Sequence, residues 1–300
     1  RLYGGDGNDS LAGGPGADLM IGQQGTDLAY YWDAMAGVRA DLYAPAWTWG
    51  DAAGDQFQGI ENLAGTNYND QLLGDTSANW ISGLWGDDYL VGRAGDDQLL
   101  GGGGSDTLDG GAGNDSLSGG LGADRFYGGE GIDLAYFWDA TGPVRADLLS
   151  PSWTWGEAAG DTFQAVEQLA GSKFGDQLLG DHGANWISGL DGNDHLVGRG
   201  GADTLVGGAG ADTLDGGAGA DCFVFDGGND RILAFAVGED RLRLDPRFSD
   251  SSPAAIAALL QAAVANVNEN SVTLVFGMGN SLCILGLSDA QALVGSFDLA

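Results

Sequence analysis

A nine-residue pattern, Gly-Gly-x-Gly-x-Asp-x-U-x with U a large apolar residue, recurs along most of this 300-residue chain. Three copies follow one another without a break over residues 101–127, with Asp106, Asp115 and Asp124 at the sixth position and Leu108, Leu117 and Phe126 at U. Each copy divides into a glycine-rich turn and a three-residue strand. In x-U-x the central side chain points opposite to its two neighbours, so U faces inward and its flanks face out. The glycines allow positive φ and tight packing without a Cβ. Two copies make one turn of a flattened coil, so residues eighteen apart stack on one edge, as Asp88 does with Asp106 and Asp97 with Asp115. The fold class expected is all-β: a parallel β-roll, a solenoid with a thin line of U residues between two rows of loops.

Rows of carboxylates at this spacing require counter-charge. Oxygen-only, six- to eight-coordinate surroundings suit Ca²⁺, whereas Mg²⁺ demands strict octahedral geometry and keeps its waters. The chain has 43 acidic residues against 11 Lys and Arg, for a net charge of −32. Only six of the acidic residues are Glu. The bias to the shorter carboxylate places the charge in turns rather than on a generic acidic surface. Self-repulsion at this charge opposes the compact state without cations. It also disfavours nucleic acid and anionic membranes as partners.

The motif is that of the RTX (repeats-in-toxin) calcium-binding nonapeptide, and the chain resembles that family over most of its length. The resemblance implies multiple Ca²⁺ ions, an extracellular location and export by type I secretion machinery. The metal ligands it implies are the sixth-position aspartates: Asp9, Asp18 and Asp27 in a first block (1–30), then Asp70, Asp88, Asp97, Asp106, Asp115, Asp124 and Asp133 in a second (65–136), then Asp176, Asp194, Asp203, Asp212 and Asp221 in a third (171–224). Asn79 and Asn185 replace the carboxylate and are expected to bind an ion weakly or not at all.

A longer repeat overlies the short one. Tyr30-Tyr31-Trp32-Asp33 matches Tyr136-Phe137-Trp138-Asp139, and Trp47-Thr48-Trp49-Gly50 matches Trp153-Thr154-Trp155-Gly156. Asn79-Trp80-Ile81-Ser82 matches Asn185-Trp186-Ile187-Ser188 at the same offset, so a module of about a hundred residues is duplicated. Residues 31–64 and 137–170 lie outside the nonapeptide grammar. They read as β-rich insertions resembling the irregular turns that interrupt RTX rolls, with Gly54-Asp55 and Ile60-Glu61-Asn62-Leu63 carrying that likeness.

From residue 225 the pattern changes to short apolar strands, a helix over 253–267 and two further strands over 271–276 and 281–285. Ser251 and Ser252 before Pro253 suit a helix start. Residues 225–300 are therefore expected to be a small α+β cap. The terminal Gly295-Ser296-Phe297-Asp298-Leu299-Ala300 resembles the tail of type I secretion substrates. No apolar run is long enough for a transmembrane helix. The chain begins inside a repeat, so more sequence is expected upstream. Cys222 and Cys283 are free to pair or not; the sequence does not decide.

No G-x-S-x-G elbow, His-Glu-x-x-His site or phosphate-cradling loop is present, and His182 and His195 read as solvated roll residues. The expectation is a non-catalytic region, with any catalytic domain upstream. Nine Trp residues are the loose end. Trp47, Trp49, Trp80, Trp153, Trp155 and Trp186 are candidates for stacking on sugar rings, which would make the chain a polysaccharide-binding or adhesive module, similar in role to the RTX modules of mannuronan C5-epimerases. The alternative is that the insertions lie over the roll and bury these rings; burial is the expectation for the insertion tryptophans. A third reading makes the chain the C-terminal region of a secreted protease or lipase.

Overall fold

The computed structural model describes residues 1–247, 253–266, 270–277, 279–287 and 289–297. Two compact units are present, one of residues 1–136 with 157–166 and the other of residues 137–156 with 167–300.

In the first unit the chain winds as a parallel β-solenoid. One face carries the strands Asn62–Ala64, Trp80–Trp85, Gln98–Gly103, Ser116–Leu121 and Leu134–Tyr136. The other carries Gln71–Leu73, Tyr89–Ala94, Thr107–Ala112, Arg125–Glu130 and Thr162–Gln164. The period of eighteen fixes the register. Leu90 pairs with Leu108 and Leu108 with Phe126 on one face, while Ile81 pairs with Leu99 and Leu99 with Leu117 on the other. All of these side chains are buried, and Phe126 stacks on Phe163 with centroids 4.9 Å apart. Each buried Leu contributes about 1.5–3 kcal/mol. The core is therefore a narrow double file of U residues, with buried aspartates such as Asp88 and Asp106 in the turns between the strands.

Much of 31–64, set apart by the sequence as an insertion, winds with the roll. Asn62–Ala64 pairs with both Leu28–Tyr30 and Trp80–Trp85, and Gln56–Gln58 pairs with Leu19–Gln24. Arg39–Asp41 extends the opposite face beside Gln71–Leu73. The irregular part is carried by the 3-10 turns Pro45–Trp47 and Gly50–Ala52.

The second unit repeats this plan. Gln168–Ala170, Trp186–Ser188, Thr204–Val206, Cys222–Phe225 and Arg241–Leu244 form one parallel face. Arg145–Asp147, Gln177–Leu179, His195–Gly200, Thr213–Ala218 and Asn229–Leu233 form the other. Winding continues past residue 224, and Asn280–Leu285 adds a last parallel strand on Asn229–Leu233. Ser271–Gly277 then pairs antiparallel with it, and Val264–Asn266 with Ser271–Gly277. The helix is Pro253–Ala262, shorter than expected, because 264–266 is drawn into that antiparallel edge. Ile256 and Leu260 are its buried residues. The proposed helix start at Ser251 and Ser252 and the final Asp298, Leu299 and Ala300 lie outside the described residues. Cys222 and Cys283 are not joined by a disulfide. No described helix is long and apolar enough to cross a membrane.

Candidate metal centres

The sixth-position aspartates divide the labour between their two oxygens. One oxygen builds the solenoid. The backbone N–H of Asp88 donates to Oδ1 of Asp106 at 2.8 Å, and that of Asp106 to Oδ1 of Asp124 at 2.8 Å. On the opposite edge, Asp97 donates to Asp115, and Asp115 to Asp133, both at 2.8 Å. Asp9 donates to Asp27 at 2.8 Å, and Asp70 to Asp88 at 2.7 Å. In the second unit Asp176 donates to Asp194 (2.7 Å), Asp194 to Asp212 (2.9 Å) and Asp203 to Asp221 (3.0 Å). Each of these turns is thus pinned to the next by a charge-assisted bond.

The other oxygen is left over. Oδ2 of Asp9, Asp27, Asp88, Asp97, Asp106, Asp115 and Asp124, and of Asp194, Asp203 and Asp221, has no hydrogen-bond donor although it is shielded from solvent. A buried carboxylate oxygen without a partner is costly. Burial pushes the Asp88 carboxyl up to about 8 and those of Asp97, Asp106 and Asp194 to about 7, and the carboxylates one turn away add to the effect. Asp115, Asp124 and Asp203 rise to about 6, again chiefly through burial.

The first glycine of each repeat shows what surrounds that oxygen. A Cβ placed on Gly101 would lie 2.3 Å from Asp106 Oδ2 and 2.6 Å from the carbonyl oxygen of Gly119, one turn on. At Gly92 the same construction meets Asp97 Oδ2 at 2.1 Å and the Gly110 carbonyl at 2.7 Å, and at Gly189 it meets Asp194 Oδ2 at 2.1 Å and the Gly207 carbonyl at 2.6 Å. The first glycine is needed for this close approach, not for its φ. Positive φ belongs to the second and fourth positions, as in Gly102 (107°) and Gly104 (140°). Among the described residues no three His, Cys, Asp or Glu side chains cluster as a metal cage. The cradles instead bring together carboxylate and backbone carbonyl oxygen, a hard, oxygen-only donor set that fits Ca²⁺ and not a thiophilic metal.

A sequence profile described as the RTX calcium-binding nonapeptide repeat (4 copies) matches residues 1–29, 64–99, 100–135, 170–205 and 197–232, more than half the chain. The chain belongs to the RTX calcium-binding repeat family. No curated protein sequence matches it. Among the solved structures similar to it are two of known origin. One is the solution structure of the AlgE6R3 subunit of the Azotobacter vinelandii mannuronan C5-epimerase: 28% identity, TM-score 0.35, covering 43% of this chain and 80% of that one. The other is the extracellular lipase LipA of Serratia marcescens: 19% identity, TM-score 0.31, covering 77% of this chain and 40% of that one.

Not every turn of this RTX chain presents a bare oxygen. Asp70 Oδ2 accepts the Thr66 N–H at 2.6 Å, while Oδ1 accepts from Val38 N–H and the Thr66 hydroxyl. Asp176 repeats this with Val144 and Ser172. These two carboxylates, placed with the other ligands by sequence, are saturated by protein donors. The signal was available: position two of their repeats is Thr66 or Ser172, not Gly. Asn79, expected to bind weakly, closes its own turn. Its Oδ1 accepts from Asp75 N–H and its Nδ2 donates to the Glu61 carbonyl, both at 2.8 Å. Asn185 does the same with Asp181 and Glu167. Nearby, Arg93 grips buried Asp41 with both NH groups at 2.9 and 3.0 Å, and Arg199 grips Asp147 with both at 2.8 Å. Burial alone would raise the Asp41 carboxyl, but the Arg93 hydrogen bonds hold it below the usual range.

Sequence reasoning missed the residues that carry the ladder through the irregular stretches. Asp18 N–H donates to Asp55 Oδ1, and Asp124 N–H to Asp161 Oδ1, both at 2.8 Å across 37 residues rather than 18. Glu61 accepts from Asp27 N–H, Asp230 from Asp212 and Asp240 from Asp221. The signal was a sixth-position Asp followed by x-U-x without its glycine turn: Asp55-Gln56-Phe57-Gln58 and Asp161-Thr162-Phe163-Gln164.

The insertion tryptophans are not buried. Trp47 is 73% exposed and Trp153 68%, with Trp49 and Trp155 also exposed. The reason is local: Pro45 and Pro151 start 3-10 turns that carry the rings outward instead of over the roll. Trp80 and Trp186 sit half-buried at the starts of strands. In the second unit, a cleft of about 500 Å³ gathers Trp138, Lys173 and Arg247 with Asp191 and Asp226. His182 and His195 are exposed.

Proposed function

We propose that this chain is the calcium-folded region of a secreted bacterial protein. It is disordered where Ca²⁺ is scarce, passes through a type I exporter in that state, and folds outside the cell on binding several ions. The roll blocks take up the ions and the segment from 225 onward serves as cap and export signal. The chain contributes structure, and any catalytic centre belongs to sequence upstream of it. The observation that carries this reading is the file of buried, donorless Oδ2 atoms, most of them in a cradle with a backbone carbonyl. A bound ion supplies charge to carboxylates that the fold buries. Because the cradles exist only in the folded chain, ion binding stabilises folding directly. Circular dichroism tests this. In chelator the chain should be largely disordered, and millimolar Ca²⁺, but not Mg²⁺, should give a cooperative rise in β signal. Identical spectra with and without chelator would sink the proposal.

The outward tryptophans favour a second role. Large exposed aromatics on a charged scaffold mark a binding surface, and indole rings suit stacking on pyranose faces. A calcium-dependent polysaccharide-binding role predicts that Trp47→Ala with Trp153→Ala abolishes retention on an acidic polysaccharide gel while leaving calcium folding intact. Equal retention of parent and variant would remove this reading.

A further inference from the structure

The two copies of the module treat one carboxylate differently. In the first, Asp55 is fully buried. Its Oδ1 accepts the Asp18 N–H at 2.8 Å and its Oδ2 accepts the Tyr31 hydroxyl at 2.9 Å. Tyr31 is itself buried, so the phenol is a fixed neutral donor. Both oxygens of Asp55 are therefore satisfied by the protein.

In the second copy the equivalent carboxylate is Asp161, also fully buried. Its Oδ1 accepts the Asp124 N–H at 2.8 Å, as in the first copy, but its Oδ2 has no donor. The residue equivalent to Tyr31 in the duplication is Phe137, which has no hydroxyl. One turn before Asp161 stands Asp124, buried and with its own Oδ2 unpartnered. Its first-copy counterpart, Asp18, is only half-buried. The bare oxygens of Asp88, Asp106 and Asp124 thus continue into Asp161, although the repeat profile stops at residue 135 and resumes at 170.

We propose that Asp161 is a calcium ligand, holding an ion with Asp124 where the irregular stretch leaves the roll, and that the Tyr31 hydroxyl takes the place of an ion at Asp55. The site is made by the loss of one phenolic oxygen between duplicated modules. Its ligand class is a hard divalent cation, because only carboxylate oxygens without donors, and no nitrogen or sulfur, are offered. Burying a second carboxylate beside Asp124 without such a cation is strongly unfavourable. The inference rests on the calcium reading of the repeats given above.

The test counts ions on the full chain by equilibrium dialysis against Ca²⁺ with metal analysis. Asp106→Asn serves as the control for the repeat ladder and is expected to bind one ion fewer than the parent. Asp161→Asn should likewise lose one ion, whereas Asp55→Asn should lose none. A full complement in Asp161→Asn alongside a loss in Asp106→Asn would overturn the Asp161 site and leave the calcium reading standing. No ions on the parent would overturn the calcium reading itself. Should Asp161→Asn not fold, crystals of the unaltered chain grown with terbium chloride decide. An anomalous peak beside Asp161 Oδ2, with none at Asp55, is expected; absence of density at Asp161 refutes the site.

Discussion

Acidification in the presence of chelator should fold this chain, the reverse of ordinary acid denaturation. The cause is the raised carboxyl pKa values of the ion-free roll. Asp88 and Asp161 sit at about 8, Asp97 and Asp106 at about 7, and Asp115 and Asp124 at about 6, in each case chiefly through burial. In the unfolded chain the same groups return to the usual Asp value near 4. Between about pH 4 and pH 8 the folded form therefore binds more protons than the unfolded form. Its stability rises as pH falls through 8 to 6 and levels off near pH 4, once the unfolded carboxyls also protonate. Each excess proton multiplies the folded-to-unfolded ratio about tenfold per pH unit. Six groups acting independently would set an upper bound; solvent screening and mutual coupling reduce it. One or two effective protons are enough for a change of about 10- to 100-fold per unit.

The assay is circular dichroism in EGTA from pH 8.5 to 4.5. The β signal should grow between pH 8 and 6, above the range in which ordinary surface carboxylates protonate. That timing separates the effect from simple loss of net charge. In Ca²⁺ the sign reverses, because protons and ions compete for the same oxygens: the calcium midpoint should rise as pH falls from 8 to 6. A chelated chain that stays flat over this window, together with a calcium midpoint independent of pH, would refute the reasoning from buried, donorless oxygens.

The two kinds of turn should respond differently to the same change. Asp106→Asn should raise the calcium midpoint, read by titration, whereas Asp70→Asn should cost about 1–3 kcal/mol in urea melts through its Thr66 and Val38 hydrogen bonds and leave the midpoint's ion count unaltered. Gly101→Ala puts a methyl group into the cradle at 2.3 Å from Asp106 Oδ2 without a φ penalty, so calcium titration should show a lost site, as in Asp106→Asn. Arg93→Met removes the two-pronged partner of buried Asp41 and leaves it only Arg39 at 3.5 Å, so it should destabilise the calcium-loaded fold by up to about 3 kcal/mol in denaturant melts.

The nonapeptide made the winding legible because its period and its inward residue are local. U at Leu90, Leu108 and Phe126 needs only alternation to be placed in the core, and the eighteen-residue register follows from counting. What was not legible depends on partners distant in sequence. The saturation of Asp70 arises from Val38, 32 residues earlier, and from Thr66 replacing a glycine. Asp55 and Asp161 lie 37 residues from the carboxylates' backbone donors and lack the glycine turn that marks a repeat. The tryptophans were expected inside because aromatic rings usually are. Prolines at 45 and 151 instead set 3-10 turns that leave the rings in solvent.

Protein donors and orphan oxygens alternate along the chain in a way that suggests how folding begins. Turns closed by Thr66, Ser172, Asn79 and Asn185 are satisfied by protein donors, and two of them lie next to a permanent guanidinium, Arg93 or Arg199, locked on a buried carboxylate. Turns around Asp88, Asp106 and Asp194 leave an oxygen bare. A parallel solenoid grows by adding turns to an existing one, so its slowest step is making the first. On the calcium reading proposed above, turns closed by protein donors would supply a template in each module whose cost does not depend on calcium, while the open turns that follow would make propagation conditional on it. The duplication then gives the chain two such starting points, one beginning near Thr66 and one near Ser172. Calcium would control how far the roll extends from each rather than where it starts.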